Sequence, residues 1–433
     1  MNLCSTNDRR LSVSFTEAVR RGIPQDGGLF MPSAIPRCSA GFIGSMAGLT
    51  FPEISFEVAR LLLEGEIPET DLRRIVDGAI TFDAPVCMLD DSTAVLELFH
   101  GPTLAFKDFG ARFMAHIMGY IDGDGGRERT ILVATSGDTG SAVASAFHGM
   151  KGVSVILLYP SGRVSQIQES QLTSLSGNVT ALEIDGTFDD CQRLVRAAFA
   201  DREIAARRSL TSANSINVAR LLPQTFYYFN AVARLEKHER GVVFSVPSGN
   251  FGDLTAGLMA WKMGLPVDRF IAAMNVNDAV GRYLDTGVYA PGRALTTLSN
   301  AMDVGDPGNL PRIRALFNGE REAMRRAVYP VSCTDDQTRG AIADAFERFR
   351  YVFDPHGAVA YFALGRYRAL HEGEFTAVVL ETAHPAKFID VYDPRVRALV
   401  ETPARLQVLL EGKKHSVKLP AGFGELKAFL MES

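Results

Sequence analysis

The chain has few cysteines for its 433 residues: Cys4, Cys38, Cys87, Cys191 and Cys333, no two of them close together. A scattered, odd set excludes a disulfide framework, a zinc ribbon and a paired redox motif, and it points to a reducing compartment. The eight histidines are equally dispersed, with no His-Glu-x-x-His, so no metal is expected. No apolar run is long enough to span a bilayer. Residues Met1–Arg10 lack the apolar core of a secretory signal, and the expected location is cytoplasmic. An excess of one charge is missing too. The formal net charge is only −5, which gives no reason to expect nucleic acid or an anionic membrane as partner. Neither Gly-x-Gly-x-x-Gly nor Gly-x-x-x-x-Gly-Lys-Ser/Thr occurs, which counts against NAD and ATP.

What is present is a large core. Hydrophobic residues make up 46% and charged residues 22% of the chain, and the length suggests two or three units. Residues 1 to about 90 read as a separate unit, with amphipathic stretches at Phe56–Leu63 and Asp71–Ile80 and a plausible boundary at Pro85. Apolar runs then alternate with helical segments. Strands are expected at Ile131–Thr135, Val153–Tyr159, Val179–Ile184, Val242–Val246, Phe270–Val276 and Thr376–Leu380. Helices are expected at Ser141–His148, Ser165–Leu175, Asp190–Phe199 and Leu254–Met263. This pattern implies parallel strands covered on both faces, an α/β architecture in doubly wound form. Ligands in such sheets sit beyond the carboxyl ends of the strands.

One lysine stands out. The run Leu98-Phe99-His100-Gly101-Pro102-Thr103-Leu104-Ala105-Phe106-Lys107-Asp108-Phe109-Gly110 sets Lys107 among apolar residues and glycines. Burial there disfavours the ammonium form and lowers its pKa. A neutral amine is what a Schiff-base catalyst requires. The plainer alternative is a surface lysine at a helix start, its stem lying over Phe106.

Two expected strands end in glycine turns that open into helices: Thr135-Ser136-Gly137-Asp138-Thr139-Gly140 and Pro247-Ser248-Gly249-Asn250-Phe251-Gly252-Asp253. Unpaired N–H groups and the helix dipole favour an anion at such a place, and glycine allows close approach. The plainer alternative is two ordinary turns with Asp as helix cap. Two loops together with an apolar lysine suggest one anion site for a cofactor phosphate, one for a substrate carboxylate, and an amine between them. Pyridoxal phosphate has a phosphate and bonds to lysine. The segment Glu381–Phe388 follows a strand end on the same side, where the hydroxyl of Thr382 could meet a ring nitrogen.

With these residues in view, the chain resembles the threonine synthase family, in its longer bacterial and fungal form. The resemblance is carried by Gly27–Phe30, Glu97–Gly110, Ala134–Gly140, Asn214–Leu221, Pro247–Gly257, Leu298–Val304 and Thr382–Phe388. It implies a tryptophan-synthase-β-like (fold type II) enzyme with layered, mostly parallel sheets and an added N-terminal domain. The implied division is residues 1–90, a catalytic region of two α/β lobes at 91–400, and a C-terminal segment at 401–433. Lys107 is implied as the Schiff-base lysine. Gly249, Asn250, Phe251 and Asp253 are implied as holding the cofactor phosphate, and Thr382 as meeting the pyridine nitrogen. Asp138 is a point of difference from sibling enzymes acting on serine or cysteine derivatives, which often have asparagine there. The stretch Gly319–Val352 and the last thirty or so residues match less clearly.

The implied activity converts O-phospho-L-homoserine and water to L-threonine and phosphate, the last step of threonine biosynthesis. Ser136, Asp138 and Thr139 are the candidates for the substrate carboxylate, and Arg112, Arg163, Arg220 and Lys387 for the substrate phosphate. The expected partner is this small molecule alone, with the chain a monomer or weak homodimer. The rival readings are a threonine or serine dehydratase, a β-replacement enzyme, and a non-catalytic homologue or sugar-phosphate binder.

Overall fold

Apolar runs that end in glycine turns become the strands of two separate parallel sheets. The computed structural model describes residues 1–123, 128–235, 240–410 and 412–432. Strands β1 (Asn2–Ser5), β2 (Ser12–Ser14) and β3 (Phe30–Pro32) form a small antiparallel sheet. The hairpin β4 (Val86–Asp90) and β5 (Thr93–Glu97) follows, then β6 (Arg129–Ala134), β7 (Val153–Pro160), β8 (Val179–Asp185) and β9 (Ser209–Thr211). Next come β10 (Val242–Pro247), β11 (Arg269–Met274), β12 (Val328–Ser332), β13 (Thr376–Glu381) and β14 (Val417–Pro420).

The larger sheet has six strands in the order β12-β11-β10-β13-β5-β4, parallel except for the β4–β5 hairpin. The smaller parallel sheet has five, in the order β14-β8-β7-β6-β9. Because helices cover both faces, the strands read as nearly continuous apolar runs rather than alternating ones. In the smaller sheet Leu132, Ile156, Leu158 and Leu182 pack with Leu194 of the helix Phe188–Ala200 and Leu426 of the helix Phe423–Glu432. In the larger, Val243, Ile271 and Val379 pack on Val359 and Ala363 of the helix Pro355–Arg368.

The expected strands and helices all form, with ends shifted by a few residues. The helix expected from Asp190 begins at Phe188, because Thr187 and Asp190 close a capping box at its start. Two strands went unread in the weakly matching stretches. Strand β12 contains Pro330, which argues against a central strand; it lies at the sheet edge, where a missing N–H is tolerated. Strand β14 pairs with β8, so the last residues complete the smaller sheet. Among the described residues no helix is long and apolar enough to cross a membrane, and no cluster of His, Cys, Asp or Glu could hold a metal ion.

Candidate active site

The lysine segment is laid along the end of β13. Leu98 N–H donates to Glu381 O (2.9 Å), Phe106 N–H to Thr382 O (2.9 Å) and His384 N–H to Leu104 O (3.1 Å). These bonds bring Lys107 and Thr382, far apart in sequence, to one place, and Thr382 is buried there. Leu104 is held at φ 60, a left-handed conformation that a leucine adopts at a cost.

Lys107 opens the helix Lys107–Asp122, and its ammonium lies 4.9 Å from the centre of the Phe106 ring. The plainer expectation is therefore right about position, while the residue is only partly exposed. Burial pushes the amine below the ordinary lysine range, opposed by Asp138 and reinforced by Lys387 and Arg220. Lys107 also acts on the carboxyl of Asp253, so the amine stands within electrostatic reach of both glycine loops.

In the first loop, Gly137 takes φ 140, where an L side chain is strained, and a Cβ there would come 2.5 Å from the Gln168 side chain. Thr135 Oγ1 accepts from Gly137 N–H (3.0 Å) and Gly140 N–H (2.8 Å), which winds the loop tightly. The N–H groups of Ser136, Asp138 and Thr139 find no acceptor among the described residues. The side chain of Asp138 turns inward. It pairs with Lys387 Nζ at 2.6 Å and accepts from Gln168 Nε2 at 3.1 Å. Burial alone would raise its pKa, but Lys387 and Lys107 overcome that and hold it far below the usual carboxylate range.

In the second loop, Phe251 sits at φ 60 and launches the helix Gly252–Lys262 with no side-chain cap. The N–H groups of Gly252, Asp253 and Leu254 have no acceptor among the described residues. Asn250 is clamped: its Nδ2 donates to Ser215 Oγ (2.6 Å), its Oδ1 accepts from Gly308 N–H (2.6 Å), and its carbonyl accepts from Asn309 Nδ2 (3.0 Å). The Asp253 carboxyl is drawn away from the helix start by Tyr227 (2.6 Å) and Tyr228 (2.8 Å), and burial raises its pKa to about 6. Gly249 packs on the 301–302 backbone, where a Cβ would lie 2.5 Å from Met302 Cα.

A buried Asp354–His356 pair ties these parts together. Asp354 Oδ2 accepts from Ala383 N–H (3.0 Å), next to Thr382. His356 Nε2 accepts from Ala301 N–H (3.2 Å), so its other ring nitrogen carries the proton toward Asp354 at 2.5 Å.

The cations proposed for a substrate phosphate separate into different roles. Arg112 caps the helix Glu69–Ala79 by donating to Gly78 O (2.7 Å) and Ala79 O (2.9 Å). Arg163 lies exposed after β7. Arg220 is buried, bonded to Ala213 O, with burial lowering its pKa to about 10. Lys387 gives two of its donors to Asp138 and to Thr103 O (3.1 Å), leaving one for a ligand. Sequence reasoning missed Gln168, Asp354 and His356. None lies in a motif, and each matters only through a partner distant in the chain.

These features fit pyridoxal phosphate. Free N–H groups at a helix start, with the nearby carboxyl engaged elsewhere, suit a phosphate monoester. A lysine whose amine is pushed toward neutrality suits covalent attachment.

Comparison with known proteins agrees from end to end. Family models match as the threonine synthase N terminus (residues 2–80), a pyridoxal-phosphate dependent enzyme (residues 92–382) and the threonine synthase C-terminal region (residues 357–430). Threonine synthase from Serratia marcescens is 45% identical over 432 residues, covering 100% of this chain and 99% of the relative. The crystal structure of threonine synthase from Escherichia coli superposes with TM-score 0.92 at 45% identity, covering 100% and 99% of the two chains. A structure of PLP-bound threonine synthase from Brucella melitensis gives TM-score 0.91 at 36% identity, covering 99% and 98%. Maize serine racemase, at TM-score 0.54 and 15% identity over 72% of this chain and 92% of its own, shares the fold alone. With three family models matching nearly the whole length and full-length relatives 45% identical, the chain belongs to the threonine synthase family of pyridoxal-phosphate enzymes.

Proposed function

We propose that this chain converts O-phospho-L-homoserine and water to L-threonine and phosphate, with Lys107 as both the covalent anchor of pyridoxal phosphate and the mobile base. The observation that carries the reading is the amine of Lys107, lowered below the ordinary lysine range by burial and within electrostatic reach of both glycine loops. When bound, the cofactor supplies an electron sink for negative charge at the substrate carbons.

The N–H groups of Gly249, Asn250, Phe251, Gly252 and Asp253 hold the cofactor phosphate, and Thr382 offers its hydroxyl to the ring nitrogen. A hydroxyl, unlike a carboxylate, does not keep that nitrogen fully protonated. Ser136, Asp138 and Thr139 hold the substrate carboxylate through backbone N–H and hydroxyl groups. The pairing of Asp138 with Lys387 supports this role, because an unpaired carboxylate at that loop would repel the substrate. Fixing the substrate this way orients its Cα–H bond toward Lys107, an effect worth several kcal/mol of barrier. With its amine free, Lys107 Nζ would take a proton from Cα, release it, and then take one from Cβ. Phosphate leaves from Cγ, the two abstracted protons return at Cγ and at Cα, and water adds its hydroxyl at Cβ while its remaining proton goes to the departing phosphate. We assign the remaining donor of Lys387 to the departing phosphate.

Phosphate release from O-phospho-L-homoserine, measured against ammonia release from threonine and serine, tests the activity. Ammonia without phosphate would move the reading to a dehydratase. Borohydride trapping followed by peptide mapping tests the anchor, and a label on any lysine other than Lys107 overturns it.

A further inference from the structure

Arg312 is fully buried, yet no carboxylate pairs with it among the described residues. Its guanidinium donates to Phe30 O (3.1 Å), Ser215 O (2.9 Å), Ile216 O (2.6 Å) and Asn309 Oδ1 (2.8 Å). Every acceptor is neutral. Burial lowers its pKa to about 9 and no acidic group opposes that fall, so it is charged at neutral pH without a counter-ion. A buried, uncompensated charge costs stability and calls for a partner of opposite sign.

Its hydrogen bonds point to where that partner belongs. Asn309 and Ser215, both held by Arg312, are the residues that clamp Asn250 in the second glycine loop. The same two flank Gly252, where a Cβ would lie 3.5 Å from Asn309 Nδ2 and 3.6 Å from the Ser215 side chain. Arg312 therefore stands directly behind the helix start. That loop, Pro247–Leu254, has no lysine or arginine of its own. A helix dipole supplies about half a positive charge, too little for a phosphate dianion.

Resting on the assignment of this loop to the cofactor phosphate, we propose that Arg312 is the buried counter-charge of that phosphate, acting through the Asn309–Asn250–Ser215 clamp without touching it. Arg312 is then a positioning and charge-compensating residue. By linkage, cofactor phosphate and Arg312 charge each stabilise the other by the same amount.

The test strips the full chain of cofactor and titrates it with pyridoxal phosphate and, separately, with pyridoxal, following visible absorbance. Arg312→Gln is expected to weaken pyridoxal phosphate by on the order of tenfold and to leave pyridoxal unchanged, while Arg312→Lys keeps most of the preference for the phosphorylated form. Equal weakening of both ligands in Arg312→Gln would mean that Arg312 is only a staple, and so overturns the proposal. Equal loss of preference in both variants overturns it as well. Should Arg312→Gln fail to fold, the lysine variant decides alone. A buried lysine titrates at lower pH than arginine, so its preference for pyridoxal phosphate should fall as pH rises while that of the unaltered chain stays level; a level profile in the variant overturns the proposal. Gly252→Asp, at a position where an added Cβ makes only ordinary contacts, separates the underlying assignment. It should abolish the preference by placing a carboxylate in the cradle. An intact preference there would show that the phosphate binds elsewhere, a failure distinct from that of Arg312.

Discussion

The two glycine loops are alike in sequence and opposite in electrostatics. Each leaves a parallel strand, turns through glycine and opens a helix with unpaired N–H groups. In the first loop Thr135 engages two of the N–H groups, the acid is ionised, and a buried lysine neutralises it. In the second the acid faces tyrosine hydroxyls, its pKa rises to about 6, and the positive charge stands behind the loop on Arg312. The first arrangement suits a ligand that must enter and leave, such as a substrate carboxylate. The second suits a resident dianion. One backbone device is tuned to two tasks by what lies behind it.

Removing what the loops share should have the largest effect. Lys107 acts on Asp138 and on Asp253, so Lys107→Ala takes away the amine that serves both sites. The expected outcome is a folded protein whose phosphate release falls by at least about 10^3-fold. Circular dichroism checks folding, and a phosphate assay checks turnover. Retained turnover would remove Lys107 from the chemistry.

The next test breaks the first loop alone. Lys387→Met leaves Asp138 buried and unpaired, which should cost about 3 to 5 kcal/mol of stability. KM should rise as well, because the uncompensated negative charge repels the substrate carboxylate. Adding Asp138→Asn should recover much of both losses. Denaturant unfolding and steady-state kinetics of the single and double variants measure the coupling. Additive losses would mean that the pair is not a unit.

That pairing marks the limit of what the sequence makes legible. Glycine turns, a lysine among apolar residues and alternating apolar runs are local signals, and they pointed to Lys107, to both loops and to six of the fourteen strands among the described residues. The roles of Lys387, Asp253 and Arg312 are relations between distant positions. In sequence Lys387 is one more cation near a proline, and only the fold sets it against Asp138. Asp253 reads as a loop acid, and its tyrosine partners lie on another helix. Pro330 hid an edge strand for a similar reason: whether a strand is central or at an edge is decided by its neighbours.

The second loop is sharpened by pH. The Asp253 carboxyl has a pKa of about 6 in the folded chain against 3.8 for an unperturbed group. The folded state therefore binds the proton more tightly, and the contribution of Asp253 to stability falls as pH rises between about 4 and 6. Asp253→Asn removes that dependence. In the cofactor-free protein it should match the unaltered chain at pH 4 and be more stable above pH 6, by on the order of 3 kcal/mol. Thermal melts across this range check the sign. The first loop runs the other way, since Asp138 is held below its ordinary value and its stabilisation is lost only as acid protonates it.

The smallest effects distinguish the glycines themselves. Gly137 is required by the protein: its φ of 140 strains any L side chain, and its missing Cβ leaves room for Gln168 at 2.5 Å. Gly137→Ala should cost about 1 to 3 kcal/mol in the cofactor-free chain. Gly252 is not required by the protein, because its Cβ would make only ordinary contacts at 3.5 Å and 3.6 Å. Alanine is also a better helix former than glycine. Gly252→Ala should therefore leave the melting of the cofactor-free chain unchanged or raised by at most about 1 kcal/mol. If glycine is there to admit a phosphate, the same variant should bind pyridoxal phosphate more weakly and pyridoxal as before. A variant that melts normally and keeps its full preference for the phosphorylated ligand would show that this glycine answers to neither the fold nor the cofactor, and the contrast between the loops would then rest on their charges alone.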